Sequence, residues 1–77
     1  MTTKAFILIE TQVGKVKEVT SELRRLEGVV SCDVITGPFD VIALIESDDM
    51  ASVADLVTGQ VQGVHGVIRT ITCVAAG

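Results

Sequence analysis

The chain begins with an apolar run followed by a helical repeat. Residues 4–10 read KAFILIE, a β-branched and aliphatic run with no gap in its apolar pattern. Such a run predicts a strand buried on both faces. Apolar residues then recur at spacings of three and four, which predicts a helix over 12–27 with Thr11 as its N-cap. Gly28 follows where a left-handed helix stop is needed. The repeating apolar positions are Val13, Val16, Val19, Leu23 and Leu26.

A hairpin is predicted after this helix. Residues 29–36 (VVSCDVIT) and 40–47 (DVIALIES) are rich in β-branched residues, as strands are. Gly37 and Pro38 between them are typical turn formers. The two strands are therefore expected to pair as neighbours.

A second helix and a last strand complete the pattern. Residues 49–61 carry apolar side chains at helical spacing, and the cluster Ser47, Asp48 and Asp49 is suited to cap their N-terminus. Gly59 weakens the last turns of this helix by roughly 1 kcal/mol relative to Ala. Residues 67–74 (VIRTITCV) then predict a strand.

The two halves of the chain repeat one motif. AFILIE at 5–10 matches VIALIE at 41–46, and Gly28-Val29-Val30 matches Gly66-Val67-Ile68 after the second helix. Two right-handed βαβ units joined by a hairpin predict an α+β fold, the ferredoxin-like βαββαβ sandwich. In this fold both helices lie on one face of a four-stranded antiparallel sheet.

Both faces of that sheet are predicted to be apolar. Phe6 and Leu8 point opposite to Ile7 and Ile9, because successive strand residues alternate faces. Two helices cover only one face, and the core of an isolated 77-residue chain is marginal. We therefore expect a homo-oligomer in which the sheet of a second subunit covers the exposed face, as in a dimeric α/β barrel.

Composition removes several classes of partner. The net charge of −4 and the scattered basic residues argue against direct DNA binding, and the N-terminal apolar run is too short for a membrane span or a signal peptide. Cys32 and Cys73 form neither a CxxC pair nor a zinc pattern, so no metal or other cofactor is expected. Two free thiols favour the reducing cytoplasm.

Two segments resemble the ligand-sensing RAM domain of the Lrp/AsnC family of feast/famine transcriptional regulators. Residues 36–40 (TGPFD) are similar to the family's T-G-x-[FY]-D hairpin, and residues 66–72 (GVIRTIT) are similar to its G-V-x-x-T-x-T strand. The resemblance covers nearly the whole chain. Because the first strand begins at residue 4, we expect a single domain over 1–77, without the family's helix–turn–helix domain.

The resemblance implies dimers that pair through their sheets, rings of dimers such as octamers, and small effectors, commonly amino acids, bound near the hairpin turn. Carried over by position, the ligand-binding residues are Gly37, Asp40, Thr70 and Thr72. A carboxylate suits the effector's ammonium, and backbone N–H or hydroxyl groups suit its carboxylate. Transcription would be modulated together with full-length relatives that carry DNA-binding domains.

Each site residue also has a purely structural interpretation. Asp40 is a good turn former, and Thr70 and Thr72 are good strand residues whose polarity suits a wet interface with a partner sheet. His65 lies in a glycine-flanked loop with no nearby nucleophile, which favours a surface histidine over a catalytic base. The sequence leaves both interpretations of Asp40 and the threonines open.

Two other functions fit the same fold. A cofactorless monooxygenase or isomerase of the dimeric α/β-barrel kind needs a polar or aromatic cavity with a titratable group, and the sheet residues here include no inward His, Tyr or Trp. An ACT-type amino-acid-binding module shares the element order, and only the hairpin motif favours the regulator over it. The sequence thus predicts a non-enzymatic regulatory domain.

Overall fold

Four strands and two helices follow one another in the predicted order βαββαβ in the computed structural model, which describes residues 2–76. The second helix continues directly into a π-helical turn. The elements are β1 (Thr3–Thr11), α1 (Val16–Arg24), β2 (Val29–Val34), β3 (Val41–Ser47), α2 (Met50–Leu56), the π-helical turn (Val57–Val61) and β4 (Val67–Val74).

The first helix begins later than the sequence predicts. Thr11 is the last residue of β1 and is not an N-cap, because its backbone pairs within the sheet. A turn separates strand from helix: Gly14 has a φ of +80°, and the Lys15 N–H donates to the Gln12 carbonyl at 3.0 Å. Val13 is fully exposed in that turn, so the predicted helix over 12–27 is wrong in its first turn.

The start of α2 confirms the predicted cap, whereas its end differs from the prediction. Asp49 Oδ1 accepts the Ser52 N–H at 2.8 Å, and this backbone hydrogen bond lowers the pKa of the Asp49 carboxyl. After Leu56 the helix widens, and the Gln62 N–H bonds five residues back to the Val57 carbonyl at 2.9 Å. Gly59 lies inside this widened turn. Because glycine has a low helix propensity, replacing α-helical geometry by a π-helical turn here costs little free energy.

The strands form one antiparallel sheet in the order β2-β3-β1-β4. The repeated strands β1 and β3 lie at the centre, and β2 and β4 are the edges. Each edge strand has an irregularity in the matching place of the repeat, where Val30 and Ile68 are skipped in the pairing and are 55% and 56% exposed. Bulges of this kind discourage edge-to-edge aggregation.

One face of the sheet packs against both helices and contains the core. Cys32 belongs to this core, and burial raises the pKa of its thiol. Cys73 lies on β4, the edge strand opposite β2. The largest fully buried side chains are Ile7, Ile9, Val19, Leu23, Val41, Ile45, Val53 and Val61.

The other face, which we call the open sheet face, is apolar in its centre as predicted. Phe6 pairs with Leu44 and with Cys73, and Leu8 pairs with Ile42 and with Ile71, so these side chains share one side. Phe6 and Ile71 are each 41% exposed. Two ion pairs flank this apolar centre. Lys4 meets Glu46 at 3.8 Å, and Glu10 meets Arg69 at 2.9 Å.

Candidate functional site

Two of the four predicted site residues, Gly37 and Asp40, lie in the hairpin that joins β2 to β3. The Ile35 N–H donates to the Asp40 carbonyl at 2.9 Å and closes the hairpin. Gly37 is exposed at its tip with a φ of +143°, which is a conformation that disfavours side chains. Nothing lies within 4 Å of where a Cβ at Gly37 would stand, so its backbone is open to an incoming molecule.

Asp40 fastens the hairpin to the central strand β1. Its N–H donates to the Ile9 carbonyl at 3.0 Å. Its carboxylate oxygen Oδ2 accepts the Thr11 N–H at 2.8 Å and the Thr11 hydroxyl at 3.3 Å. Within residues 2–76, no side-chain hydrogen bond reaches the second oxygen, Oδ1. Asp40 thus has a structural role and still presents one acceptor.

Thr70 and Thr72 share one side of β4, but not the side that the wet-interface interpretation requires. Thr70 pairs with Ile9 and Thr72 with Ile7, so both threonines lie on the helix side of the sheet. The Thr70 hydroxyl accepts a hydrogen bond from Gln62 Nε2 at 3.0 Å. Thr70 is half-buried and Thr72 is exposed, so neither faces a partner across the open sheet face.

The fold brings Asp40 and Thr70 to the same end of the sheet. Ile9 of β1 pairs with Val41 on one side and with Thr70 on the other. Since neighbouring strands lie about 4.8 Å apart, roughly 10 Å separates the backbones of β3 and β4 here. Thr72 lies two residues further along the strand, opposite Ile7, and is the most distant of the four from the hairpin.

Phe39, Arg69 and Glu10 form a cluster at this end that the sequence did not single out. Phe39 is buried outside the main core. The Arg69 guanidinium carbon lies 5.1 Å from the centre of its ring, a cation–π distance. Arg69 Nε also donates to Glu10 Oε1 at 2.9 Å. Arg69 therefore connects the hairpin, β1 and β4.

Among residues 2–76, no group of three or more His, Cys, Asp or Glu side chains could hold a metal ion. Over the same residues, no helix has the length and the apolar character that crossing a membrane requires. The predicted site residues offer one carboxylate oxygen of Asp40, the hydroxyls of Thr70 and Thr72, and the exposed backbone of Gly37.

Comparison with known proteins decides the family. The model of the Lrp/AsnC ligand binding domain matches residues 4–76. The chain belongs to this family. It is 35% identical over 65 residues to the HTH-type transcriptional regulator FL11 of Pyrococcus furiosus, and this stretch is 80% of the chain and 42% of FL11. Thus the chain spans less than half the length of that regulator.

Several solved structures share the fold of this chain. TTHA0845 from Thermus thermophilus superposes with a TM-score of 0.93 at 31% identity, covering 97% of this chain and 94% of that one. The Neisseria meningitidis regulator NMB0573, solved as its L-Met complex, superposes with a TM-score of 0.87 at 22% identity. That match covers 97% of this chain and 50% of NMB0573, and it shows that the two share a fold.

Proposed function

We propose that this chain is an oligomeric regulatory domain of the cytoplasm that binds an amino acid or a similar small effector and is not an enzyme. The observation that carries the proposal is the Lrp/AsnC ligand-binding-domain match over residues 4–76. The L-Met complex of the structurally similar regulator NMB0573 supports an amino acid as the effector class.

The hairpin end of the sheet has the groups that an amino acid needs. Asp40 Oδ1 would accept from the ammonium, because Thr11 already holds the other oxygen in place. The exposed backbone at Gly37 and the Thr70 hydroxyl would bind the carboxylate. Thr72 would contribute at the margin, where it is exposed on the same side as Thr70.

The open sheet face supports an assembly built on dimers. Its apolar centre would be buried against the same face of a second copy, and the ion pairs Lys4–Glu46 and Glu10–Arg69 would form the rim. Rings of such dimers, for example octamers, extend the same proposal. This dimer would bury the additional apolar surface that a 77-residue chain needs for a stable fold.

Control of transcription would require a DNA-binding partner. The net charge of −4 argues against direct binding of DNA, and the HTH-type transcriptional regulator FL11 is more than twice as long as the matched stretch. We therefore propose that the domain, over residues 1–77, modulates full-length Lrp/AsnC relatives by assembling with them.

A thermal-shift screen of the twenty amino acids tests the effector class. A ligand that binds only the folded assembly raises the melting temperature of that assembly by mass action. At a ligand concentration of 100 times the Kd, the free energy of unfolding rises by about 2.7 kcal/mol. We expect one amino acid, or a few related ones, to raise the Tm in a saturable way. A screen in which none of the twenty raises the Tm at 10 mM, about a hundred times a Kd near 0.1 mM, would contradict the proposal.

Asp40→Asn tests the assignment of the ammonium contact. Asparagine keeps an oxygen for the Thr11 N–H, so the hairpin should stay intact, but it loses the charge. Binding should weaken by about 1.5 to 3 kcal/mol, roughly 10- to 150-fold, measured by calorimetric titration with the amino acid found in the screen.

Asp55→Asn, an equal change of charge on exposed α2, is the matched control and should leave the affinity unchanged. If Asp40→Asn binds as tightly as the wild type, Asp40 only fastens the hairpin to β1. In that case Thr70 and Thr72 become the candidates for the effector contact.

A further inference from the structure

The free edges of β2 and β4 differ in whether their outward backbone groups have partners. In an antiparallel ladder, alternate residues of an edge strand bond to the neighbouring strand, and the residues between them point away from the sheet. On β4 the Ala75 N–H donates to the Lys4 carbonyl at 2.9 Å, so the residues of the other parity point outward. The backbone groups on this free edge therefore belong to Thr70, Thr72 and Val74.

The free edge of β2 is occupied by a side chain of the first helix. The Ile35 N–H donates to the Asp40 carbonyl, so the same alternation makes Cys32 and Val34 the outward residues of β2. Arg24 Nη2 donates to the Cys32 carbonyl at 2.7 Å. Charged side chains at an edge protect it from pairing with another strand. Arg24 therefore closes the β2 edge.

The free edge of β4 lacks such a side chain. Within residues 2–76, no hydrogen bond engages the outward backbone groups of Thr70, Thr72 and Val74. The pairing with β1 is regular from residue 69 to residue 75, after the irregularity at Ile68, and residues 71–76 are all exposed. A regular edge with unpaired N–H and C=O groups is a template for another strand.

We propose that this edge pairs with β4 of a second copy, antiparallel and about a two-fold axis at Thr72. Residue 72 is the midpoint of the regular segment 69–75, so this register uses all of the outward groups. Thr72 pairs with its own counterpart, and Thr70 pairs with Val74 of the second copy. Each of these pairs exchanges two N–H···O bonds.

The side chains of β4 are self-complementary in this register. On the open sheet face, Ile71 lies opposite Cys73 of the second copy, which places apolar against apolar. Arg69 lies opposite Ala75, so no two like charges meet across the axis. A β2 strand from another copy fits this edge less well, because it would have to displace Arg24 from the β2 backbone.

The edge pairing explains how the proposed dimers could join, and it rests on the sheet-to-sheet dimer of the proposed function. Edge pairing alone buries little apolar surface, and isolated strand pairs are marginal in water. It therefore joins dimers and does not hold two single chains together. A chain with two different two-fold contacts assembles into closed tetramers or rings of dimers.

Cysteine cross-linking of the full chain tests the pairing and its register. In a Cys73→Ser background, Thr72→Cys places two thiols on directly opposed residues, with Cα atoms about 5.5 Å apart, which a disulfide can bridge. We expect copper-phenanthroline oxidation to convert most of this protein to a covalent dimer on a non-reducing denaturing gel. Thr70→Cys in the same background is the matched control and should stay uncross-linked, because Thr70 lies opposite Val74.

Light scattering coupled to size-exclusion chromatography tests the contribution of the edge to the assembly. Thr72→Pro removes an outward N–H without removing a bond to β1, so the fold should survive. We expect four or more chains in the wild type and two in Thr72→Pro. Val34→Pro removes an outward N–H from the β2 edge and should keep the wild-type mass.

Three results would overturn the edge pairing. These are absence of the Thr72→Cys cross-link, a wild-type mass for Thr72→Pro when the wild type has four or more chains, and a reduced mass for Val34→Pro. The last would identify β2 of the second copy as the occupant. If only the sheet-to-sheet dimer is wrong, Thr72→Cys still cross-links although the wild type contains at most two chains.

Discussion

A lysine in place of Leu44 should separate the assembly into single chains of 8.1 kDa. Leu44 lies on the central strand β3, and its side chain is on the open sheet face beside Phe6. When two such faces meet, the lysine ammonium would be buried without a carboxylate opposite, which costs several kcal/mol. A symmetric interface contains the substitution twice. Light scattering coupled to size-exclusion chromatography measures the mass directly.

Met50→Lys is the matched control for this variant. It also replaces an apolar residue by lysine, but Met50 is 50% exposed at the start of α2, away from the open sheet face. It should keep the wild-type mass. Leu44→Ala removes apolar area without adding charge and should raise the dissociation constant of the dimer. A wild-type protein that is a stable monomer at micromolar concentration, or a Leu44→Lys protein of wild-type mass, refutes the sheet-to-sheet dimer.

The central strands could be predicted from the sequence because their pattern is local. The apolar run over residues 5–9 and its repeat over residues 41–45 are continuous, and such runs occur where both faces of a strand are buried. Their alternation assigns Phe6 and Ile7 to opposite faces without knowledge of any partner. The apolar open sheet face therefore followed from the sequence.

The face of the sheet on which Thr70 and Thr72 lie could not be predicted from the sequence. Val67 pairs with the buried Thr11, and simple alternation from Val67 would place both threonines on the open sheet face. The irregularity at Ile68 adds one residue and moves every later side chain of β4 to the other face. The sequence shows good strand residues at these positions but carries no local signal for the extra residue.

Long-range contacts of the site were also absent from the sequence pattern. Asp40 bonds to Thr11, 29 positions away, and Arg69 bonds to Glu10, 59 positions away. Such pairs form only because β1 lies between β3 and β4 in the sheet. The hairpin motif located Asp40, whereas its attachment to β1 and the covering of Phe39 by Arg69 needed the strand register.

Gly66→Ala should cost the fold about 2 to 5 kcal/mol. Gly66 is buried with a φ of +99°, where a residue with a Cβ is strained by roughly 1 to 2 kcal/mol. The added Cβ would also lie 3.0 Å from Val19 Cγ2 and 3.0 Å from Lys15 Cβ. Val19 is fully buried and cannot move away freely, so overpacking adds about 1 to 3 kcal/mol.

Gly59→Ala separates this effect from the general consequence of replacing a glycine. Its Cβ meets nothing within 4 Å, and its φ lies outside the left-handed region, so stability should be unchanged or rise by up to about 1 kcal/mol. Urea unfolding at one fixed chain concentration measures both variants, because the stability of an oligomer depends on concentration. A Gly66→Ala protein that unfolds at the wild-type urea midpoint would contradict this prediction. It would mean that Gly66 lies farther from Val19 and Lys15 than these distances indicate.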